Sequence, residues 1–256
     1  MALRVAFDLD GVLADMESEL VRQAETLFGE SMTRRLEERA SDGAPATDPP
    51  TETAGGTEEQ RQAAAETSSE NVPPLIKLNM TTRQQRRLWK HVESIENFWL
   101  TLAELEPGVI QRLAAIAAER RWEIIFLTKR PQTAGLTAQV QSQRWLESKG
   151  FTLPSVFVVQ GSRGRIAASL GLDIVVDDRP ENCLDVVVDS KARAILIWRE
   201  DEKHLPAAAR RLGIGMVKTV GECLDILTQV DTPAREQPGV MDRVMRLLGL
   251  KETANA

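Results

Sequence analysis

The sequence predicts an α/β fold: a three-layer arrangement in which a parallel sheet has helices on both faces. Short apolar runs that end in polar turns recur along the chain, and such runs are typical of strands buried in a parallel sheet. Helical patterns separate them, and one, from Ile166 to Leu170, is followed by Gly171, a residue that favours helix termination. Because strands alternate with helices, we expect right-handed crossovers and a sheet covered on both sides.

Five apolar runs are predicted to be the strands of this sheet. They are Leu3 to Leu9, Trp122 to Leu127, Ser155 to Val159, Asp173 to Val176 and Arg193 to Trp198. Two further helical patterns, Val109 to Ala117 and Gly221 to Val230, lie before the second run and after the last. The α/β core is therefore predicted to occupy 1–15 and 105–231.

An inserted unit is predicted between the first two strands, because about 100 residues lie there and a crossover needs only a dozen or more. The patterns from Met16 to Glu38 and from Leu88 to Trp99 each place apolar residues on one helical face, which predicts a small helical cap over 16–104. Between them, Ser41 to Pro74 contains no aromatic residue and five prolines. Such a segment buries too little apolar surface to offset its ordering entropy, so we expect disorder over roughly 41–74.

Composition and charge narrow the functional classes. The net charge of −6 disfavours non-specific binding to nucleic acid, which needs a basic surface, and no run approaches the roughly 18 apolar residues of a membrane helix. Two cysteines are too few for a disulfide framework or a cysteine-built zinc site, and acidic residues follow the start too soon for a signal peptide. We therefore expect a cytoplasmic protein that binds no membrane.

An amphipathic tail over 232–256 is expected to pack on its own domain, with dimerisation or partner binding as the alternative.

Pairs of carboxylates follow two of the predicted strands. Asp8 and Asp10 stand two residues apart where the first strand ends, and Gly11 after them permits a sharp turn. Asp177 and Asp178 follow the fourth predicted strand. Ligands of an open parallel sheet bind beyond the carboxyl ends of its strands, so both pairs are expected at one site. Carboxylates held close together repel one another unless a cation relieves them, which predicts a Mg²⁺ site; capping of the next helix by Asp178 is the alternative.

Hydroxyl and cationic side chains stand at the ends of two other predicted strands. Thr128, Lys129 and Arg130 follow the second strand, and Arg163 and Arg165 lie in a flexible turn after the third, just before a helix. Guanidinium groups bind phosphate oxygens through a bidentate fork, and helix N-termini add oriented amide groups. Their shared location favours a phosphate site over separate solvated cations.

The order Asp-x-Asp, Thr, Arg, Asp-Asp along the chain resembles the four-motif signature of the haloacid dehalogenase superfamily. The segment from Phe7 to Leu13 matches the first motif at every position, and the resemblance covers about Leu3 to Asp15 and Glu96 to Arg199. Within the superfamily the chain looks most like the 5'(3')-deoxyribonucleotidase-like group, through Asn97-Phe98-Trp99, Glu106-Pro107-Gly108 and Leu170 to Asp178. The resemblance implies a Rossmann-like core with the cap inserted after its first strand.

The resemblance also implies a Mg²⁺-dependent phosphomonoesterase that acts through an aspartyl-phosphate intermediate. Asp8 resembles the family nucleophile. Asp10 resembles the acid/base that protonates the leaving oxygen and then activates water. Thr128 would hydrogen-bond the transferring phosphoryl group.

The metal site and the third motif follow from the same resemblance. The implied Mg²⁺ ligands are Asp8, Asp10 through its backbone carbonyl, Asp177 and Asp178. Arg163 stands where the family usually has Lys. A planar fork is not equivalent to an ammonium group, so a weakened reaction, or Arg165 or Lys129 in that role, is the alternative.

The predicted cap would select the substrate by closing over the nucleophile. Thr128, Lys129, Arg130 and Arg165 are the candidate substrate-binding residues. Trp99 is the candidate to stack on a nucleobase, with packing in the core as the simpler interpretation. We therefore expect a small-molecule phosphomonoester, with (deoxy)nucleotides as one class. A catalytically silent nucleotide- or phosphate-binding protein and a phosphatase of a macromolecular substrate are the alternatives, and the oligomeric state is not predicted.

Overall fold

The computed structural model describes residues 2–41 and 78–230. They form two compact units, one of 2–15, 99–130 and 138–230, and one of 16–41, 78–98 and 131–137. The first elements in chain order are β1 (Arg4–Asp8), α1 (Met16–Phe28), α2 (Glu30–Ser41), α3 (Thr82–Ser94), a 3₁₀ turn (Phe98–Leu100), α4 (Val109–Arg120) and β2 (Glu123–Thr128). The chain continues with α5 (Ala138–Ser148), β3 (Ser155–Val158), α6 (Arg163–Leu170), β4 (Ile174–Asp177), α7 (Pro180–Asp189), β5 (Arg193–Ile197), a 3₁₀ turn (Glu202–His204), α8 (Ala207–Arg211), β6 (Gly215–Val217) and α9 (Val220–Val230).

The strands of the first unit form one parallel sheet in the order β3-β2-β1-β4-β5-β6. β1 lies between β2 and β4, with Phe7 opposite Phe126 on one side and Val176 on the other. The strand order runs outward from β1 in both directions, and sheets of this kind bind ligands at the carboxyl ends of the strands where the order reverses. The predicted α/β fold with a parallel sheet is confirmed.

Helices cover both faces of this sheet. One face presents Ala6, Val175 and Leu196 to a core that α6, α7 and α8 complete. The strand residues between them point to the other face, where Phe7 and Val176 are fully buried as well. Each buried side chain of that size contributes roughly 1.5–3 kcal/mol relative to exposure. The three-layer arrangement follows from strands that are apolar on both sides.

The second unit is helical. α1 and α2 are separated by Gly29, whose φ of +85° ends α1 in a conformation that glycine adopts without strain. The single helical stretch predicted from Met16 to Glu38 is therefore two helices. α3 begins at a capping box, in which Thr81 Oγ1 accepts from the Gln84 N–H and the Gln84 side chain accepts from the Thr81 N–H.

The compact units and the predicted segments differ in two places. The helical unit ends at Phe98 instead of 104, and it includes 131–137, which we place in the core from the sequence. The predicted disordered segment lies outside the described residues except for Ser41, the last residue of α2, and the predicted tail over 232–256 lies outside them too. The predicted domain boundaries stay a prediction. None of the described helices has the length and apolar character that crossing a bilayer requires.

Candidate active site

The two carboxylate pairs lie at the carboxyl ends of β1 and β4, which are neighbours at the centre of the sheet. Asp8 is the last residue of β1, and Asp177 is the last residue of β4. Thr128 ends β2 on the other side of β1, and Arg163 is the first residue of α6, the helix that leads into β4. Four elements thus deliver one predicted site residue each to the ligand-binding edge of the sheet.

Asp8 is buried, with 7 % of its surface exposed. Arg163 Nη2 donates to Asp8 Oδ1, and the Asp10 backbone N–H donates to Asp8 Oδ2 at 3.1 Å. Burial raises the pKa of Asp8 well above its usual range; the Arg163 guanidinium opposes that rise, and the neighbouring carboxylates add to it. The charge of Asp8 therefore depends on a cation beside it.

The Asp10 carboxylate is held by Arg130 and Thr128. Arg130 Nε lies 3.0 Å from both carboxylate oxygens, and its Nη2 lies 2.7 Å from Oδ1. The Thr128 hydroxyl donates to Asp10 Oδ2 at 3.1 Å and accepts from the Arg130 backbone N–H at 3.3 Å. A forked guanidinium pair of this kind fixes the orientation of the carboxylate as well as balancing its charge.

Asp177 is fully buried, and neighbouring groups satisfy its carboxylate. Asn182 Nδ2 lies 3.0 Å from both oxygens, and the Arg179 backbone N–H donates to Oδ1 at 2.9 Å. Arg163 Nε lies 3.5 Å from Asp177 Oδ2, so one guanidinium group bridges Asp8 and Asp177. Burial raises the pKa of Asp177, while the Arg163 charge and these hydrogen bonds oppose the rise.

Asp178 lies against the turn that follows β1. A Cβ atom on Gly11 would lie 1.9 Å from Asp178 Oδ2, and the φ of Gly11 is +83°, so this position requires glycine. Asp178 Oδ1 is buried and accepts no hydrogen bond from the described residues. Burial, and after it the charge of Asp177, raises the pKa of Asp178 to about 7. Arg179 is the N-cap residue of α7, so helix capping does not explain Asp178.

The turn after Asp10 is anchored by Arg199. Arg199 Nη1 donates to the Gly11 carbonyl oxygen at 2.5 Å, and Nη2 lies 3.4 Å from Glu106 Oε1. Glu106 also accepts from the backbone N–H groups of Val220 and Gly221, at 2.7 and 2.9 Å, where α9 begins. A carboxylate at a helix N-terminus is stabilised by the helix dipole, so Glu106 connects the turn to a fixed element.

Two side chains that were predicted to bind substrate, Trp99 and Arg130, are buried and contact other residues of the protein. Trp99 is fully buried, with the Arg130 guanidinium carbon 4.9 Å from its ring centroid. The ring has no exposed face for a nucleobase, so we withdraw Trp99 as a substrate-binding residue. Arg130 binds the Asp10 carboxylate, and the Arg165 side chain is exposed on α6. Lys129 is partly exposed beside Thr128.

The site also contains side chains that the sequence analysis misses. Asn182 is recoverable in hindsight, because a helix that starts just after a strand end returns its first-turn side chains towards that end. Ser142 and Trp145 of α5 contact Arg130: its Nη1 donates to Ser142 Oγ at 3.0 Å, and the Trp145 ring centroid lies 5.7 Å from its guanidinium carbon. No spacing in the sequence signals those two contacts or the role of Arg199.

Asp178 offers an oxygen of the kind that a divalent cation binds, and its charge interacts with that of Asp8. Four carboxylates gather here against two buried guanidinium groups, and Asp178 Oδ1 is a buried oxygen with no donor. Within 2–41 and 78–230, no set of three or more His, Cys, Asp or Glu side chains encloses a metal position. One or two carboxylates usually hold Mg²⁺ together with water and substrate phosphate.

Two solved structures share this fold with a TM-score of 0.50. One is a haloacid dehalogenase family hydrolase from Deinococcus radiodurans R1 with bound phosphate and sodium, 17 % identical, covering 91 % of this chain and 99 % of that chain. The other is a predicted phosphatase from Clostridium acetobutylicum, 12 % identical, covering 90 % of this chain and 99 % of that chain. No protein-family model matches the chain, and no curated protein does. At these identities the similarity establishes the fold.

Proposed function

We propose that this chain is a phosphomonoesterase in which Asp8 forms an aspartyl-phosphate intermediate and Asp10 acts as acid and base. One observation supports this most: a buried Asp8 with a cation on one oxygen stands two residues from a second carboxylate held in a fixed orientation. A nucleophile beside an acid/base group is the pair that phosphoryl transfer through an enzyme intermediate requires.

In the first step, an Asp8 carboxylate oxygen attacks phosphorus, and the bond from phosphorus to the ester oxygen breaks. Asp10 gives its proton to the departing oxygen, so an alcohol leaves instead of an alkoxide. Arg163 is suited to bind the transferring group, because its Nη1 is buried and donates no hydrogen bond to the described residues. Its guanidinium group then stabilises charge on the phosphoryl oxygens.

In the second step, water attacks the phosphorus of the aspartyl phosphate and gives a proton to Asp10. The bond between phosphorus and the Asp8 oxygen breaks, which releases inorganic phosphate and restores both side chains. The Thr128 hydroxyl, 3.1 Å from Asp10 Oδ2, is placed to donate to a phosphoryl oxygen in either step.

Asp8, Asp178 and the Asp10 backbone carbonyl are the proposed ligands of Mg²⁺. When bound, the ion supplies positive charge that favours ionised Asp8 and neutralises the phosphoryl oxygens. Asp177 is less suited to direct ligation, because Asn182 and the Arg179 N–H already bind its oxygens. The Deinococcus radiodurans hydrolase of the same fold binds phosphate and sodium, an anion and a cation, which accords with this proposal.

The proposed substrate class is a small phosphomonoester, and nucleoside 5'-monophosphates are the first compounds to test. That choice depends on the sequence resemblance through Asn97-Phe98-Trp99 and Glu106-Pro107-Gly108. The buried ring of Trp99 adds nothing to it.

A catalytically silent phosphate-binding protein is the second candidate. One observation favours it: Arg163 pairs directly with an Asp8 oxygen, and Arg130 contacts both oxygens of Asp10, so both reacting groups are held by cations. Such a protein would bind phosphate esters without turnover, and Asp10→Asn would leave that binding unchanged.

Phosphate release from a panel of nucleotides, sugar phosphates and aryl phosphates, with Mg²⁺ or EDTA, tests both candidates. We predict Mg²⁺-dependent turnover that falls by about 1000-fold or more in Asp8→Asn, because an amide cannot attack phosphorus. The matched control is Asp201→Asn, which alters an exposed carboxylate of the same unit and should keep the wild-type rate. Binding without turnover of any ester would favour the silent protein, and full turnover by Asp8→Asn would contradict the nucleophile assignment.

A further inference from the structure

Arg130 uses all three of its guanidinium nitrogens within the protein. Nε and Nη2 contact the Asp10 carboxylate, with Nε 3.0 Å from both oxygens and Nη2 2.7 Å from Oδ1. Nη1 donates to Ser142 Oγ at 3.0 Å. The Arg130 side chain has 0 % of its surface exposed. Its charge is therefore directed at Asp10, and a ligand in solvent does not reach it.

The surroundings of Arg130 hold the plane of its guanidinium group. The Trp99 and Trp145 ring centroids lie 4.9 and 5.7 Å from the guanidinium carbon, distances at which a cation interacts with an aromatic ring. Ser142 Oγ donates to the Ala138 carbonyl oxygen at 2.7 Å, which leaves a lone pair to accept from Arg130. The orientation of Arg130 is thus set by α5 and by the residues before α4.

The pair of Arg130 with Asp10 affects geometry more than stability. Desolvation of two charges offsets much of the Coulombic attraction of a buried ion pair. The fork contacts both oxygens of Asp10, however, and Thr128 donates to one of them, so the carboxylate has one preferred orientation. Orientation matters for an acid/base group, because proton transfer requires that it stand within hydrogen-bond reach of the reacting oxygen.

We propose that Arg130 is a positioning residue that orients Asp10 for proton transfer to the leaving oxygen. The inference rests on the proposed phosphomonoesterase function, and it replaces the predicted substrate-binding role of Arg130. If Arg130 orients Asp10, its loss should slow some esters more than others. An alkoxide is strongly basic and needs a proton to leave, whereas a dinitrophenolate leaves without one, so loss of Arg130 slows alkyl esters far more than dinitrophenyl phosphate.

Leaving-group release in a single turnover measures this selectivity. The substrates are the best alkyl phosphate of the panel and 2,4-dinitrophenyl phosphate, and the variants are Arg130→Lys and Arg130→Gln. We expect the alkyl ester to react about 100-fold more slowly at saturation, within the range of a general acid, with little change in the concentration that gives half the maximal rate. The aryl ester should slow by less than about 5-fold, because its first step needs no acid.

Arg112→Lys is the matched control, because Arg112 forms an ion pair with Asp225 of α9 in the same unit. It should leave the ratio of the two rates at the wild-type value. Equal losses on both esters in a folded Arg130 variant would overturn the inference. Absence of turnover by the wild type with every ester would instead contradict the proposed function on which the inference rests.

Thermal unfolding of each variant accompanies these rates, because Arg130 is buried. Ser142→Ala removes the acceptor of Arg130 Nη1, together with the hydrogen bond to the Ala138 carbonyl oxygen, and serves as the test when neither Arg130 variant folds. Loss of one such hydrogen bond should slow the alkyl ester by about 3- to 10-fold and leave the aryl ester unchanged. An unchanged ratio of the two rates in Ser142→Ala would then overturn the inference.

Discussion

Asp178 differs from the other site carboxylates, because no guanidinium group among the described residues pairs with it. Asp8 and Asp177 share Arg163, and Asp10 is paired with Arg130. Burial and the charge of Asp177 instead raise the pKa of Asp178 to about 7. In the protein without a bound cation, the ionised form of Asp178 therefore opposes folding at neutral pH.

Asp178→Asn is predicted to stabilise the Mg²⁺-free protein. The folded pKa of about 7 lies above the unfolded value of about 3.9, so the folded state binds more protons in that window and stability falls as pH rises through it. Asn removes that loss. In urea unfolding, we expect the free energy of unfolding to rise by up to about 4 kcal/mol at about pH 8 and hardly at all at about pH 4.

Mg²⁺ titrations of the same two proteins complete this test. A bound ion stabilises only a folded state that holds it, so Mg²⁺ should raise the unfolding midpoint of the wild type more than that of Asp178→Asn. Asp201→Asn is the control and should behave as the wild type. A gain in stability confined to low pH, or equal stabilisation of both proteins by Mg²⁺, would count against this account of Asp178.

At the residue scale, the sequence predicts the positions of the site carboxylates but not the side chains that bind them. Asp8 and Asp177 each follow an apolar run at a strand end, where a parallel sheet places its ligand-binding groups. Lys129 and Arg130 are adjacent cations, and the sequence does not indicate which of them binds Asp10. That depends on the two tryptophan rings and the serine hydroxyl that surround Arg130, which only the tertiary structure brings together.

At the scale of elements, α6 and α7 are in close contact at Gly164. A Cβ atom there would lie 2.0 Å from the Asp185 carbonyl oxygen and 2.6 Å from Asp189 Cβ. α6 begins with Arg163, whose guanidinium group bridges the carboxylates at the ends of β1 and β4. The spacing of the two helices therefore sets the position of Arg163.

Gly164→Ala is predicted to lower both stability and activity. The added methyl group meets backbone and a Cβ atom, so we expect the free energy of unfolding to fall by about 1–3 kcal/mol, although Ala favours a helix by roughly 1 kcal/mol over Gly. Displacement of Arg163 should lower kcat as well. In the matched control Gly161→Ala, nothing lies within 4 Å of the added atom, and both quantities should stay near wild type. A Gly164→Ala protein with normal kcat would show that helix spacing does not position Arg163.

The elements that the sequence predicts are those with enough residues to show a period. Five strands are apolar runs between polar turns, whereas β6, Gly215–Val217, has three residues and no visible pattern. The break between α1 and α2 is missed, because glycine is tolerated within a helical pattern and the φ of Gly29 is a property of the folded chain.

At the scale of the whole molecule, the strand order decides which motifs meet. β1 and β4 are far apart in the chain and adjacent in the sheet, so the first and last carboxylate pairs share one edge. Alternating strands and helices predict that edge, since parallel strands all end on the same side. The identity of the substrate cannot be predicted in the same way, because it depends on the placement of side chains, such as the burial of Trp99.

Identification of the phosphorylated residue tests the central claim most directly. Asp10→Asn is mixed with 2,4-dinitrophenyl phosphate and Mg²⁺, because the first step then needs no acid and the second lacks its base, so the intermediate accumulates. Acid quenching, borohydride reduction of the acyl phosphate and peptide mass spectrometry should place homoserine at Asp8, and only in samples given the ester. Modification of another residue, or turnover by the wild type with no acyl phosphate trapped at Asp8, would contradict the account.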